Sequence, residues 1–419
     1  MNYVSKKEIP TQICPDDIVL GAELSFGCCV HKIKKRSTFT FVTLRTGKFT
    51  FLAVHNPKYC EKPLKEVFEG VYLDVKCKVR EEKRAENGVE IAITDYTVLS
   101  KPAEKYPMPV SDRILDCSPE EIAENRAVSF RNPVERAPIH VVGAVIESFS
   151  EFMKNNGFLN VRSPKITQIN FEAEKDSFPF KYFDKKAYLC TDPGVYTQCA
   201  VAFFDRVYEV SQVFSGKKRN SPRLLNEYTV MHFEQAYVTD VNDLMAAECS
   251  LLEYITAQVS KECAYELDLL EAKLPEIQNV PVITFNEAMK LLKKEESQPD
   301  LDPTDEKRLC KWAKEEHNCE FVFVTEYPAD KRPSYYARGK AFALLFRGME
   351  IAFGGLKKEN FENLTDKSLN ESYLDFFRYG MPPHGGVATG VERFVMQLLG
   401  LRDVRQATLF PRDIHILKP

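Results

Sequence analysis

Apolar and polar residues alternate along the first hundred positions in a way that predicts short β-strands. The clearest run covers residues 71–79, where Val, Leu, Val, Cys and Val occupy every second position. Strict alternation indicates a strand with one face buried and the other in water. Further strands are predicted at residues 25–30, 39–42, 49–53 and 89–93. With a short helical stretch near residues 64–68 between the third and fourth strands, residues 21–104 are predicted to form an all-β barrel of the OB type.

Beyond residue 135 the apolar residues recur at steps of three and four, which predicts amphipathic helices. The predicted helices cover residues 138–156, 241–263, 284–294 and 304–317. The predicted strands between them are a hairpin at 206–214 and 228–238, then 321–325 and 344–354. Helices that flank an antiparallel sheet are typical of an α+β domain.

The positions of the prolines indicate where one domain ends and the next begins along the chain. Residues 100–112 contain three prolines and form a natural linker. We therefore predict an N-terminal extension at residues 1–20, the barrel at 21–104, a linker at 105–135 and an α+β domain of catalytic type at 136–419.

Composition narrows the possible classes of protein. The chain has 419 residues, 44% of them hydrophobic, and no apolar run of about 18 residues that would cross a membrane. The N-terminus has no apolar core of a secretory signal, so a cytoplasmic location is predicted. The twelve cysteines include no Cys-x-x-Cys pair, so we expect reduced thiols and no zinc site. A net charge of −4 leaves nucleic-acid binding to local basic patches.

The stretch with the strongest chemical signal lies near the end of the chain. Pro382 and Pro383 prevent a helix, three glycines follow, and a helical pattern begins at Val391 and ends near Gly400. Arg393 therefore falls in the first turn of a mostly apolar helix beside a glycine-rich entry. Such a guanidinium suits stacking on a purine and contact with phosphate oxygens, although the same pattern also fits an ordinary tight connection.

Three segments in this order resemble a known signature. Pro-Pro-His-Gly-Gly at 382–386, Gly-Val-Glu-Arg at 390–393 and Leu-Phe-Pro-Arg-Asp at 409–413 are similar to the third motif of class II aminoacyl-tRNA synthetases. Specifically, they resemble aspartyl-tRNA synthetases of the archaeal and eukaryotic type, and the resemblance covers nearly the whole chain. It implies an antiparallel synthetase sheet, an N-terminal anticodon-reading OB barrel and a homodimer built on residues 138–164.

The resemblance also implies an activity and its site residues. The family joins aspartate to tRNA with ATP and Mg²⁺, and the positions that match its catalytic and ATP-binding residues are Arg223, Glu227, Glu350, Gly390 and Arg393. Glu350 is the implied magnesium ligand. The positions that match its amino-acid contacts are Asp176, Gln198, Lys357 and His384.

A basic loop beside aromatic residues lies in the barrel that the resemblance implies to be the tRNA-binding domain. Basic side chains next to aromatic rings can bind single-stranded nucleic acid, although the same aromatics also fit a barrel core. The candidate tRNA contacts are Lys34, Lys35, Arg36, Phe41 and Phe49. Thr50 stands where relatives usually carry a glutamine for the anticodon bases.

Several positions depart from the family pattern. Relatives have Phe-Arg-Ala-Glu where this chain has Phe-Ser-Gly-Lys, so Ser215 replaces the arginine that ordinarily holds the α-phosphate. Thr197 replaces the lysine for the aspartate side chain, and Asp192 is gained. Ala388 replaces the first glycine of the third motif. A serine cannot supply a charged fork, and losing such a contact costs a factor of hundreds in rate.

Three functions remain compatible with the sequence. The first is an active aspartate–tRNA ligase. The second is a catalytically weakened paralogue with a tRNA-binding or regulatory role, favoured by Ser215 and Thr197, which argue against full activity and against aspartate. The third is a ligase of altered amino-acid specificity or an amidotransferring relative, although the barrel argues against the latter.

Overall fold

The alternating segments of the N-terminal region form a closed barrel. The computed structural model describes residues 13–85, 88–169, 173–294, 300–328, 333–364 and 370–418. The barrel strands are β1 (Glu23–Lys35), β2 (Thr40–Thr46), β3 (Phe49–His55), β4 (Tyr72–Glu81) and β5 (Val89–Ser100). They close in the order β1-β2-β3-β5-β4, with β3 and β5 parallel. The predicted OB-type barrel is confirmed.

The barrel core follows from the two-residue period. Leu73, Val75 and Cys77 on β4 point inward and are buried, while the residues between them are exposed. The helical stretch predicted near residues 64–68 is wrong, because these residues form turns. Leu64 and Val67 pack against the barrel core, and so short a segment does not offset the cost of starting a helix.

The chain divides into two units. One runs to Ser118 and includes Asn125–Ala137, and the other contains Pro119–Glu124 and everything from Pro138 onward. The domain boundaries given above remain a prediction.

The five predicted helices form close to the expected residues, and further helices are present that were not predicted. The helices are α1 (Pro119–Glu124), α2 (Arg126–Ser129), α3 (Pro133–Asn155), α4 (Gly194–Phe204), α5 (Val241–Glu262), α6 (Ala264–Leu270), α7 (Phe285–Leu292), α8 (Pro303–His317), α9 (Glu371–Arg378) and α10 (Val391–Leu399). Helix α3 starts five residues before its predicted start. Among the described residues, no helix combines the length and the apolar character needed to cross a bilayer.

The second unit is built on a mixed, mainly antiparallel sheet. Its strands are β6 (Leu159–Asn160), β10 (Arg206–Phe214), β11 (Glu227–Ala236), β12 (Val282–Thr284), β13 (Phe321–Thr325), β14 (Tyr336–Phe346), β15 (Met349–Lys357) and β16 (His384–Gly390). Within the described residues they pair in the order β12-β13-β14-β15-β16-β11-β10-β6. A small separate sheet consists of β7 (Ile166–Thr167), β8 (Pro179–Tyr182) and β9 (Lys185–Leu189).

Helices cover both faces of the large sheet. On β13, Phe321 and Phe323 face one core cluster together with residues of α3, α5 and α10. Val322 and Val324 face the opposite cluster, formed with α7 and α8. The strand is therefore buried on both faces, as its continuous apolar sequence predicts, and the predicted α+β architecture is confirmed.

The single strand predicted at residues 344–354 is wrong. The chain reverses at Arg347 and Gly348, with φ of 46° and 85°, so that β14 and β15 form a hairpin. Two consecutive left-handed residues are the signature of a tight two-residue hairpin turn. The long apolar run around the turn concealed this reversal.

Candidate active site

Strand β16 and helix α10 bring the glycine-rich segment to the middle of the sheet. β16 pairs with β15 on one side and with β11 on the other. A Cβ on Gly386 would lie 2.2 Å from the carbonyl oxygen of Phe233 and 2.6 Å from Oε2 of Glu234, so only glycine fits there. Helix α10 follows at once and ends at Gly400, whose φ is 66°. The predicted helix and its C-cap are confirmed.

A cavity of about 400 Å³ opens beside these elements and is called the central cavity below. Arg223, Glu350, Lys357, Gly390 and Arg393 line it, so five of the sequence-predicted positions come together. The Arg393 side chain is half-buried and held in place: its Nε donates to the carbonyl oxygen of Arg223 and its Nη1 to that of Glu350, each at 3.3 Å. Its guanidinium therefore belongs to the cavity wall.

Arg223 is oriented by a residue that sequence analysis missed. Its Nη2 donates to Oε2 of Glu306 on α8, and the same oxygen accepts from the backbone N–H of Glu350 at 3.1 Å. Nη1 of Arg223 is buried and has no hydrogen-bond partner among the described residues. One guanidinium edge is thus fixed, and a donor remains available for an anion.

Glu350 fits a magnesium ion that is bound mainly by phosphates. Among the described residues, no three His, Cys, Asp or Glu side chains cluster as a metal site. Mg²⁺ usually takes only one or two carboxylates, and substrate phosphates and water supply the other ligands. Glu227, at the start of β11, does not line the central cavity.

Lys357, which lines the central cavity, belongs to a buried ion pair. Nζ of Lys357 lies 2.5 Å from Oε2 of Glu234, with side-chain exposures of 1% and 0%. Burial raises the pKa of Glu234 to about 7, against the lowering effect of Lys357. His232, which lies 3.6 Å from the same carboxylate oxygen, stays neutral because burial lowers its pKa to about 3. His232 Nδ1 contacts Oγ1 of Thr197 at 3.0 Å.

A second carboxylate, Asp192, faces this pair. It accepts from the backbone N–H of Gly194 at 2.7 Å and from the Tyr335 hydroxyl. Burial and the neighbouring Asp192 charge raise the pKa of Tyr335 well above its usual value, so the hydroxyl keeps its proton. Lys357 lies over the Tyr335 ring, 5.3 Å from its centroid. Two carboxylates, Glu234 and Asp192, therefore lie around Lys357.

Gln198 and His384 form a buried polar chain. Nε2 of Gln198 lies 2.8 Å from Nε2 of His384, and Oε1 of Gln198 accepts from the Tyr373 hydroxyl at 2.6 Å. Nδ1 of His384 lies 2.7 Å from the carbonyl oxygen of Pro382, which identifies Nδ1 as the protonated nitrogen. Burial lowers the pKa of His384 to about 4, so this histidine is neutral.

Asp176 lies outside the central cavity. It lines a neighbouring basic depression together with Lys175, Lys217, Lys218 and Arg219. The carbonyl oxygen of Asp176 accepts from the backbone N–H of Gly216 at 2.8 Å, which fixes the segment after Ser215 against residues 174–177. Ser215 and Lys217 also line the central cavity.

The barrel unit carries the basic loop on its surface. Lys34, Lys35 and Arg36 are exposed at the end of β1, and Lys34 pairs with Phe41 across β1 and β2. Phe41 is half-buried and packs edge-on against Phe39 at 5.0 Å. Phe49 instead packs partly against the barrel core.

Comparison with known sequences and structures indicates the class of protein. A family model of class II tRNA synthetases (D, K and N) matches residues 118–414. An asparaginyl-tRNA synthetase from Pyrococcus horikoshii, solved with asparaginyl-adenylate, superposes with a TM-score of 0.88 at 25% identity, covering 98% of this chain and all of that one. Fold and sequence thus define a class II tRNA synthetase architecture.

Two relatives narrow the class to a family. The aspartate–tRNA(Asp/Asn) ligase of Thermus thermophilus is 35% identical over 364 residues, which is 83% of this chain and 86% of the relative. The aspartate–tRNA(Asp) ligase of Thermococcus kodakarensis is 32% identical and covers 80% of this chain and 81% of its own. The chain therefore belongs to the aspartate–tRNA ligase family. Membership implies the use of ATP and a divalent metal in general.

Proposed function

We propose that this chain activates aspartate with ATP and transfers the aspartyl group to tRNA(Asp). The observation that carries the proposal is the single central cavity, which places Arg223 and Arg393 in the same space as Lys357. Family membership supplies the reaction class, and the cavity offers adjoining sites for a nucleotide and an amino acid. A shared cavity can hold the two reactants in contact, which removes much of the entropic barrier.

In the nucleotide half, Arg223 and Arg393 act as the catalytic cations. Positive charge is needed where negative charge develops on the α-phosphate as the aspartate α-carboxylate attacks and pyrophosphate leaves. Gly390 allows the nucleotide to approach the backbone, and Glu350 is the residue that would hold Mg²⁺. The ion, when bound, offsets the phosphate charge. Glu227 stays a predicted ATP contact, although its side chain does not line the cavity.

In the other half, Lys357 binds the aspartate side-chain carboxylate. Gln198, His384 and Asp176 are proposed to contact the rest of the amino acid. The hydrogen bond between neutral His384 and Gln198 holds the two side chains in a fixed arrangement, although neither lines the central cavity. The aspartyl group then passes from AMP to the terminal ribose hydroxyl of the tRNA.

Aspartate-dependent exchange of pyrophosphate into ATP tests the activation step. We expect the purified chain to catalyse the exchange with Mg²⁺ and aspartate, and to charge tRNA(Asp) when tRNA is added. A reaction without amino acid is the control. An absence of exchange and charging at saturating substrates would contradict the proposed function.

Ser215 favours a second candidate, the catalytically weakened paralogue that binds tRNA. It lines the central cavity at the position where the family places an arginine, and a hydroxyl supplies no charge there. A chain that binds tRNA but does not catalyse aspartate-dependent exchange of pyrophosphate into ATP would establish this candidate.

Loss of charge from the basic loop of the barrel is expected to weaken tRNA binding. In a triple Lys34→Ala, Lys35→Ala, Arg36→Ala variant, the slope of the logarithm of the tRNA association constant against the logarithm of the salt concentration should become shallower by about 2. The reason is that each lost single-strand phosphate contact removes about 0.7 from its magnitude. Filter binding at several salt concentrations measures the slope. The matched control is Lys76→Ala with Lys78→Ala, exposed on β4 of the same barrel. An unchanged slope in the triple variant would exclude the loop as a tRNA contact.

A homodimer through α3 and β6 is also proposed. β6 is the terminal strand of the large sheet, and its Leu159 is 46% exposed. A sheet edge with an exposed apolar residue is a suitable pairing surface. Sedimentation equilibrium would report the oligomeric state.

A further inference from the structure

The part of the central cavity around Lys357 has too many carboxylates nearby for aspartate to enter freely. Lys357 is already paired with Glu234 at 2.5 Å, and Asp192 lies beside it. Another nearby cation, Lys165, is held by Glu209 at 2.8 Å and does not line the cavity. Aspartate would bring a third carboxylate to one ammonium group. Such a surplus of buried negative charge is costly unless one carboxylate becomes neutral.

The geometry identifies which carboxylate can become neutral. The Asp192 side chain already accepts two hydrogen bonds, from the Gly194 N–H and from the Tyr335 hydroxyl. Glu234 is fully buried, and its Oε1 has no hydrogen-bond partner among the described residues. An unpartnered carboxylate oxygen is a poor place for charge and a good place for a proton.

We propose that Glu234 is a specificity-determining residue: the aspartate carboxylate can bind Lys357 only when Glu234 has taken up a proton from solvent. This inference rests on the proposed function, since it takes aspartate as the amino acid. A neutral side chain, such as the amide of asparagine, needs no such proton. The pocket therefore discriminates between the two amino acids to a degree that depends on pH.

The surroundings of Glu234 agree with this assignment. The titratable and charged groups around it are Lys357, His232, Asp192, Cys199, Tyr335 and Tyr373. His232 is neutral, and burial raises the pKa of Cys199 to about 12, so neither changes charge near neutrality. Burial first, and then Asp192, raise the pKa of Glu234 to about 7.

The pH dependence has a definite sign. Below pH 7 Glu234 already carries the proton and aspartate binds without further cost. Above pH 7 each unit of pH lowers the protonated fraction tenfold, so the apparent Kd rises tenfold. Between pH 6.0 and 8.5 the Kd for aspartate is therefore expected to rise about 30-fold.

Calorimetric titration of the full chain with aspartate and, separately, with asparagine tests the inference. At pH 8.5 aspartate binding should take up close to one proton, measured by repeating the titration in buffers of different ionisation enthalpy. Asparagine shares the α-amino and α-carboxylate groups, so its pH dependence isolates the side chain. In Glu234→Gln the aspartate Kd should become independent of pH.

Glu248→Gln is the matched control. Glu248 is also fully buried with a pKa raised to about 7, but it bonds Thr389 at 2.7 Å and faces no Lys357. This variant should keep the 30-fold change. Asp192→Asn should shift the change to lower pH, because the Asp192 charge raises the pKa of Glu234, and it provides a second readout if Glu234→Gln fails to fold.

The outcomes separate the two claims. An aspartate Kd that is constant with pH, equal pH dependence for asparagine, or no aspartate binding at either pH would overturn the inference. Exchange activity with a pH-independent Kd for aspartate would support the proposed function and contradict the role of Glu234. Proton-coupled binding of aspartate without exchange activity would support the role of Glu234 and contradict the proposed function.

Discussion

Replacing Arg393 with alanine is expected to lower kcat/KM for ATP in pyrophosphate exchange by roughly 10²- to 10³-fold. Its guanidinium is held by two backbone carbonyls at 3.3 Å, so it is already oriented before the nucleotide arrives. A preorganised cation stabilises charge that develops in the transition state without reorganisation. Alanine removes the charge and leaves these backbone acceptors unpaired.

Arg402→Ala is the control for Arg393. Arg402 is exposed, lies just after α10 and does not line the central cavity, so the exchange rate should stay near that of the unmodified chain. Thermal unfolding of both variants would exclude a loss of folded protein. A fall of less than fivefold in Arg393→Ala would remove Arg393 from the catalytic machinery.

Replacing Ser215 with arginine is expected to raise kcat for exchange by about 10²-fold, since one missing charged donor in a preorganised site costs about that much. Ser215 is half-buried in the wall of the central cavity, on the same wall as Arg223. A guanidinium at this position would restore a planar donor to the space in which the α-phosphate is proposed to lie. Steady-state exchange at saturating ATP and aspartate measures the effect.

Ser215→Gln is the matched control, because glutamine lengthens the side chain without adding charge. It should give no gain. Lys217 lines the same cavity, and adding Lys217→Ala to the unmodified chain and to Ser215→Arg reports whether this lysine supplies the missing charge. A Ser215→Arg variant no faster than the glutamine variant would show that position 215 does not limit the reaction.

Local patterns were sufficient to predict much of the fold. The two-residue period located the barrel strands, and the three- and four-residue steps located α5, α7 and α8 to within a few residues. Gly400 ended α10 where expected, because a left-handed C-cap depends on the residue itself. The β14–β15 hairpin was missed because an apolar run on both sides of Gly348 has the same appearance as one long strand.

The partners of the site residues were beyond the reach of local patterns. Arg223 was identified by its motif, but Glu306, which orients it, lies 83 residues away on a helix that looks polar and exposed. Glu234 was also missed, although an acidic residue directly after Phe233 in a predicted strand was an available signal. Which carboxylate neutralises which cation depends on how the strands align, and a single sequence does not specify that alignment.

The close approach of Gly386 to Glu234 limits how this enzyme can be redesigned. Besides the acid, the backbone carbonyl oxygen of Phe233 would lie 2.2 Å from a Cβ at 386, and no side-chain replacement at 234 removes that oxygen. Mutational routes to a different substrate preference must therefore keep glycine at 386 and change Glu234 itself. Libraries that randomise residue 386 alone should return glycine.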